Sequence, residues 1–352
     1  MFARTVAASF PVTGTSAAYA YRFDPASDSF QRADTPLGPV FSEREQTVGS
    51  GKLSLATNYA LLRYDSINGR DLDELISNDP ESGLHYVAIC LATACEPLQA
   101  LARVDLEAQI LTLSATYGLT PDFDLSVTVP LVRTFVRAAT TLTSFDPPQH
   151  FPFQFSASAT ETDAGVGDVL LRLKHRLGRF GLADLAGGLT VSLPTGEREN
   201  FHGTGDTLVG AALYVSRTFA NRIEPHLNLG FLGDADKFDR SQVRYSIGAD
   251  LGILDWLTLN NDFLGRSDIA RSDPFARPVF VQVERADVLQ FSTGLKIAPP
   301  WRKTFGGVPV LRDIPERGAG LPWVWFFNVL LPLNDDGARA DHVLTLGAEA
   351  MF

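Results

Sequence analysis

Six histidines, His85, His150, His175, His202, His226 and His342, are scattered along the 352 residues, and none completes a metal pattern or stands beside an obvious nucleophile. His202 with Asp206 is the nearest approach to a catalytic pair, and a polar loop contact explains it equally well. "GDADKFDR" (233–240) offers Asp234, Asp236 and Asp239, but the calcium-loop pattern is incomplete, so a solvated acidic loop is expected. "GVGDVLLRLK" (165–174) holds a Gly-x-Gly that opens an alternating segment instead of joining a strand to a helix, which removes the dinucleotide reading. "GSGKLS" (49–54) lacks the first glycine of a phosphate loop at the right spacing. No catalytic residue, metal or cofactor is expected.

Cys90 and Cys95 are the two cysteines, close together in "ICLATACEP". A disulfide closing a small loop fits an oxidising compartment. A metal would need more ligands than the nearby His85, and two unpaired thiols remain the plain alternative.

The elements that must position all this are strands. In "FDLSVTVPLV", Phe123, Leu125, Val127, Val129 and Leu131 alternate with Asp124, Ser126, Thr128 and Pro130. In "QVRYSIGADL", Val243, Tyr245, Ile247, Ala249 and Leu251 alternate with Gln242, Arg244, Ser246, Gly248 and Asp250. Twelve such segments are read, at about 51–64, 103–117, 123–137, 166–177, 182–193, 207–219, 222–232, 241–252, 256–265, 287–298, 323–333 and 341–352. Most exceed the ~5–6 residues usual in soluble proteins and suit a tilted membrane crossing of ~9–11. Long and short connections alternate, as in outer-membrane barrels, except at 299–322, where a short turn is expected. A soluble sandwich would wet one face with Lys and Glu; here the polar face is Ser, Thr, Gly, Asn and Asp.

The expected fold is therefore all-β: one antiparallel transmembrane barrel of about twelve strands over 51–352. Residues 1–50 are irregular, with Phe23, Phe30 and Phe41 needing a dry place; partial insertion as a lumen plug is expected, and a loose periplasmic tail is the alternative. Bacterial barrels commonly end on Phe, which the assembly machinery reads and which sits at an aromatic girdle; Phe352 fits that role. No run of ~20 apolar residues forms a membrane helix. Residues 1–20 lack a proper apolar signal core, so the chain is expected to start downstream of its export signal. The net charge of −11 and the absence of basic clusters exclude nucleic acid as a partner.

The polar faces nominate lumen residues: Asp105 and Glu107, then Arg172, Lys174 and Arg176, then Arg244, Asp250 and Asp262. Opposite charges across a narrow lumen make either a polar pathway or a salt-bridged plug, and both readings stand.

The chain resembles the outer-membrane barrel proteins named after the meta-cleavage pathway of phenol degradation. The resemblance rests on "YRFDPASDSFQRADTPLGPVFSEREQTVGSGKLSL" (21–55), "GRDLDEL" (69–75), "YGLTPDFDLSVTVPLV" (117–132), "GVGDVLLRLKHRL" (165–177), "LTVSLPTGE" (189–197), "PHLNLGF" (225–231) and "VLLPLNDDGAR" (329–339), in order along the chain. It implies a porin-like transporter of the bacterial outer membrane, with hydrophobic or aromatic cargo suggested by the family name, and it supplies no catalytic residues. Segment 299–322 departs from the expected pattern. The expected function is passage of small molecules across the outer membrane, with lipid and the assembly machinery as partners. The alternative is a closed structural or surface barrel whose long loops bind a partner.

Overall fold

The structure, a computed structural model, describes residues 2–18, 21–24, 29–32, 35–76, 87–91, 94–144, 154–269, 287–298 and 323–352. Twelve strands close into one antiparallel barrel. They are β1 (Leu53–Ile67), β2 (Ala94–Gly118), β3 (Phe123–Ser144), β4 (two segments, Gln154–Val166 and Val169–Phe180), β5 (Ala183–Leu193) and β6 (Leu208–Ser216). β7 (Ile223–Asp234), β8 (Gln242–Leu254), β9 (Leu257–Asp268), β10 (Asp287–Ile297), β11 (Trp323–Pro332) and β12 (Val343–Met351) follow. β12 pairs with β1 to close the ring, and no free edge is left along that seam. Phe352 and Leu53 exchange backbone hydrogen bonds at 2.8 and 3.0 Å, so the terminal residue finishes the closure.

Alternation sets the two faces. Leu113, Leu125, Ile247, Phe263 and Leu346 are exposed on the outside, while Ser126, Ser246, Asp262 and Thr345 are buried inside. The tight connections gather at one end, which is read as periplasmic. There Tyr117, Phe180, Phe219, Trp256, Trp323 and Phe352 are exposed as an aromatic girdle. The turn joining β6 to β7 has Ala220 and Asn221 both at positive φ, the mirror-image turn whose twist matches a hairpin.

Four features differ from the sequence reading. A short helix, α1 (Phe2–Ala8), precedes the barrel; seven residues are too few to display a helical period. β2 and β3 run for 25 and 22 residues, well past the bilayer. Their outer faces turn charged there, and Arg63 Nε meets Glu107 Oε2 at 3.0 Å in the open. Asp105 and Glu107 therefore face outward, not into the lumen: they share parity with the exposed Leu111, Leu113 and Tyr117, while Leu106, Ala108 and Ile110 take the inside. Polarity misleads at that height because water bathes both faces. β4 is also interrupted at residues 167–168, opposite Pro130, which has no N–H to give; Gly167 N instead donates to Pro130 O at 2.8 Å.

Candidate functional site

The lumen holds the N-terminal segment. Residues 9–18 run down the inside, and 35–48 rise to mid-lumen and return to the periplasmic end. At the exit a Cβ on Gly118 would overlap Gly49 O, so a side chain there would displace the segment. Apolar residues anchor it at two levels. Val6, Phe10 and Phe41 pack with Leu62, Tyr64, Leu106 and Ile110 toward the outer end. Ala17, Ala18, Leu37 and Val48 pack with Val324 and Met351 at the periplasmic end. The side chains of Phe23 and Phe30 lie outside the described residues.

Polar contacts reach nearly every wall strand. Asn58 Nδ2 donates to Thr13 Oγ1 at 2.9 Å, Leu37 N to Thr258 Oγ1 at 3.0 Å, and Lys296 Nζ to Pro39 O at 2.7 Å. Val48 N donates to Asp124 Oδ2 at 3.0 Å and Ala18 N to Glu349 Oε1 at 2.8 Å. The backbone of Glu43 is clasped by Asn228, whose side-chain oxygen accepts from Glu43 N at 2.7 Å and whose amide donates to Glu43 O at 2.8 Å.

Glu43 is the charged centre. Arg172 Nη1 donates to it at 2.7 Å, Lys174 Nζ lies 3.4 Å away, and Thr15 N and the Ser16 hydroxyl also donate to it. Burial alone would raise its carboxyl, but Lys174, Arg172 and the Ser16 and Thr15 hydrogen bonds hold it at about 2. Two residues on, burial and the Glu224 carboxylate push Glu45 up to about 7 against Arg176, Arg44 and Lys174. Arg44, fully buried, donates to Ala17 O at 2.5 Å and faces Glu224 Oε2 at 3.5 Å.

Asp250 and Asp262 are buried on the inner face around His226, whose Nε2 is 2.5 Å from Asp262 Oδ1. Ser42 Oγ donates to Asp262 at 2.7 Å, so this cluster also ties down the segment. Arg176 stands near the periplasmic mouth, 3.8 Å from Asp122. Arg244 lines a cavity of about 340 Å³ above the segment, toward the outer end. His202 and Asp206 do not pair: His202 faces Asp163 at 3.7 Å, and Asp206 receives Arg4 at 2.8 Å and Arg240 at 3.0 Å. Asp206, Asp234 and Asp236 come close enough to hold a cation, but the Arg4 guanidinium already bridges Asp206 and Asp234. Cys90 and Cys95 are register partners in a hairpin of Val87–Leu91 with the start of β2; their side chains lie outside the described residues, as do His85, His150 and 299–322.

The residues missing from the sequence reading are Arg4, Glu43, Arg44, Glu224, Arg266 and Lys296. Glu224, Arg266 and Lys296 carried the inward parity of their strands; the N-terminal three sit in a segment with no period to read.

A closed twelve-stranded barrel with an aromatic girdle has the architecture of an outer-membrane β-barrel. Among solved structures the chain is similar to an outer membrane channel from Pseudomonas putida F1, at 12% identity and TM-score 0.50, covering 87% of this chain and 97% of that one. It also aligns with a Pseudomonas aeruginosa FadL homologue (10% identity, TM-score 0.37, covering 86% and 90%) and the Ralstonia pickettii toluene transporter TbuX (8%, 0.36, 86% and 90%). At 12% identity the first likeness concerns the fold alone. No family model and no curated protein matches the sequence.

Proposed function

We propose that this chain is a bacterial outer-membrane barrel that passes small hydrophobic, including aromatic, molecules across the membrane. The observation that carries this reading is the cavity of about 340 Å³ above the N-terminal segment, lined by Phe10, Phe41, Leu170 and Leu264 among others. Such a lining desolvates an apolar molecule at a specific place along the path. The segment below it is a removable stopper: it is joined to the wall by hydrogen bonds, ion pairs and the two apolar anchors, and must shift for passage. Lipid serves as the barrel's solvent, and Phe352 as its assembly signal.

The all-round hydrogen bonding of the segment favours the second reading, a permanently closed barrel with binding loops. Uptake of labelled ethylbenzene into vesicles with a lipopolysaccharide outer leaflet separates the two. Protein-dependent uptake supports passage; uptake equal to that of protein-free vesicles supports the closed barrel.

A further inference from the structure

The outside of the barrel wall is not charged evenly. On β4, β8, β9 and β10 the strand cations Arg172, Lys174, Arg244, Arg266 and Lys296 belong to the lumen, where the two lysines are buried and the three arginines line the cavity. β1, β2 and β3 are different. Above the lipid-facing Leu111, Leu113, Val127 and Leu131, their outward face carries Arg63, Arg103, Arg133 and Arg137. All four are exposed, and no lysine stands among them.

Arg133 is the lowest of the three on β2 and β3 that face outward with the belt's parity beyond Leu111 and Leu131. It stands two residues past Leu131, roughly 7 Å along the strand, where the apolar belt gives way to headgroups. Its cross-strand neighbours on that face are Gln109 and Ala164, both uncharged. Among the described residues no carboxylate pairs with it. One row higher, Glu107 is taken by Arg63 Nε at 3.0 Å and accepts from Gln109 Nε2 at 2.8 Å. Beside Glu107 in register is Phe135, an exposed ring between Arg133 and Arg137. Arg137 is the register partner of Asp105, and Arg103 lies 3.6 Å from Asp73. The free positive charge therefore sits lowest, next to the lipid, and the acids stand above it.

We propose that the outward face of β1–β3 binds the phosphorylated headgroup of an outer-leaflet glycolipid, with Arg133 holding a phosphate at the top of the apolar belt and Arg137 joining from above. The inference needs only a barrel seated in the outer membrane with its tight turns at the periplasmic end; it stands apart from the passage reading. A guanidinium suits a phosphate because its planar fork offers two parallel donors, which an ammonium cannot. The stem of Arg133 lies along apolar surface while its head reaches the headgroups. Acyl chains meet Leu111, Leu113 and Leu131 directly below, so a lipid satisfies both the charged row and the belt, and a soluble anion satisfies only the first. Phe135 adds an apolar face at the boundary, as aromatic residues do at membrane interfaces.

The test is native mass spectrometry of the full chain in detergent, titrated with short-core lipopolysaccharide, the same lipid stripped of its phosphates, and phosphatidylglycerol, with inorganic phosphate as competitor. Saturable binding of the phosphorylated glycolipid is expected, at least about tenfold tighter than its stripped form, as a hydrogen-bonded charge commonly contributes. An arginine at an anionic lipid surface is worth roughly fivefold, so Arg133→Gln should weaken binding by about that factor and the Arg133→Gln, Arg137→Gln double variant by about thirtyfold. Arg133→Lys should keep part of the affinity. Stripped lipid binding as tightly as the phosphorylated form to the wild type overturns the proposal, and that comparison needs no variant to fold. Phosphatidylglycerol equal to the glycolipid, or displacement of the glycolipid by an equal concentration of inorganic phosphate, overturns the choice of lipid. Unchanged binding in a double variant that still runs as a folded, heat-modifiable band overturns the site.

Discussion

Replacing Glu43 with Gln should unseat the N-terminal segment without harming the barrel. Glu43 belongs to the segment, and its two cations, Arg172 and Lys174, belong to β4, so the pair spans the joint that must open. Two independent routes give the magnitude. Removing one partner of a buried ion pair costs roughly 3–5 kcal/mol, because the other charge stays buried and uncompensated. The fall of the Glu43 carboxyl from 4.5 to about 2 corresponds to about 3 kcal/mol of preference for the docked, ionised form. About 3 kcal/mol raises the undocked population roughly a hundredfold. The sign with pH follows: a depressed value gives docking support that is complete above 4.5 and is lost as pH falls toward 2. Wild type should therefore open on acidification through that window, and Glu43→Gln should be open already at neutral pH. Planar-bilayer recordings report the open fraction, and limited proteolysis reports release of residues 35–48. A Glu43→Gln protein that runs as a normal heat-modifiable band yet keeps wild-type open fraction and protection would refute the reasoning.

Glu45 should act in the opposite sense: its raised value of about 7 gives support that is present below 4.5 and lost as pH rises through 7. Open fraction should thus rise between pH 4.5 and 7 in wild type, and Glu45→Gln should flatten that limb; an unchanged limb contradicts the assignment. Leu125→Arg on the exposed face should lower folding stability by ~2–4 kcal/mol, whereas Ser126→Arg, on the inner face, should cost the membrane far less and instead disturb the packed lumen. Equal losses in folding titrations, with equal open fractions, would mean the register is wrong. Cys90 and Cys95 oppose each other in an outer hairpin, so a disulfide is expected to form and hold the loop tip; replacing both with Ser should leave the folded band intact and raise protease cleavage within 78–100. Full alkylation of both thiols without reductant would exclude the bridge.

The barrel was legible because a membrane strand has a lipid face and a lumen face for its whole length, and the two are chemically distinct. Leu125 against Ser126 and Ile247 against Ser246 state that contrast in adjacent residues. Asp105 and Glu107 show where it stops: above the bilayer the outer face is wet, so polarity no longer marks the lumen, and only counting back from Leu111 and Leu113 gives the right side. The core of the candidate site was legible by half. Arg172, Lys174, Asp250 and Asp262 could be read from alternation, but their partners Glu43 and Ser42 sit in an aperiodic stretch over a hundred residues away. Nothing local in such a stretch encodes which wall residue it will meet. The helix α1 escaped for a related reason, since its one buried contact face amounts to Val6 and Ala7.

The central claim is that small hydrophobic molecules cross through the lumen past a displaceable N-terminal segment. Ser42 and Ser246 have hydroxyl oxygens 2.9 Å apart across the joint between segment and wall, close enough for a disulfide after replacement of both by Cys. Labelled ethylbenzene uptake by lipopolysaccharide-faced vesicles carrying the Ser42→Cys, Ser246→Cys protein tests the claim directly. Uptake should be blocked when the pair is oxidised and restored by reductant; equal uptake in both states, or none in either, would contradict it.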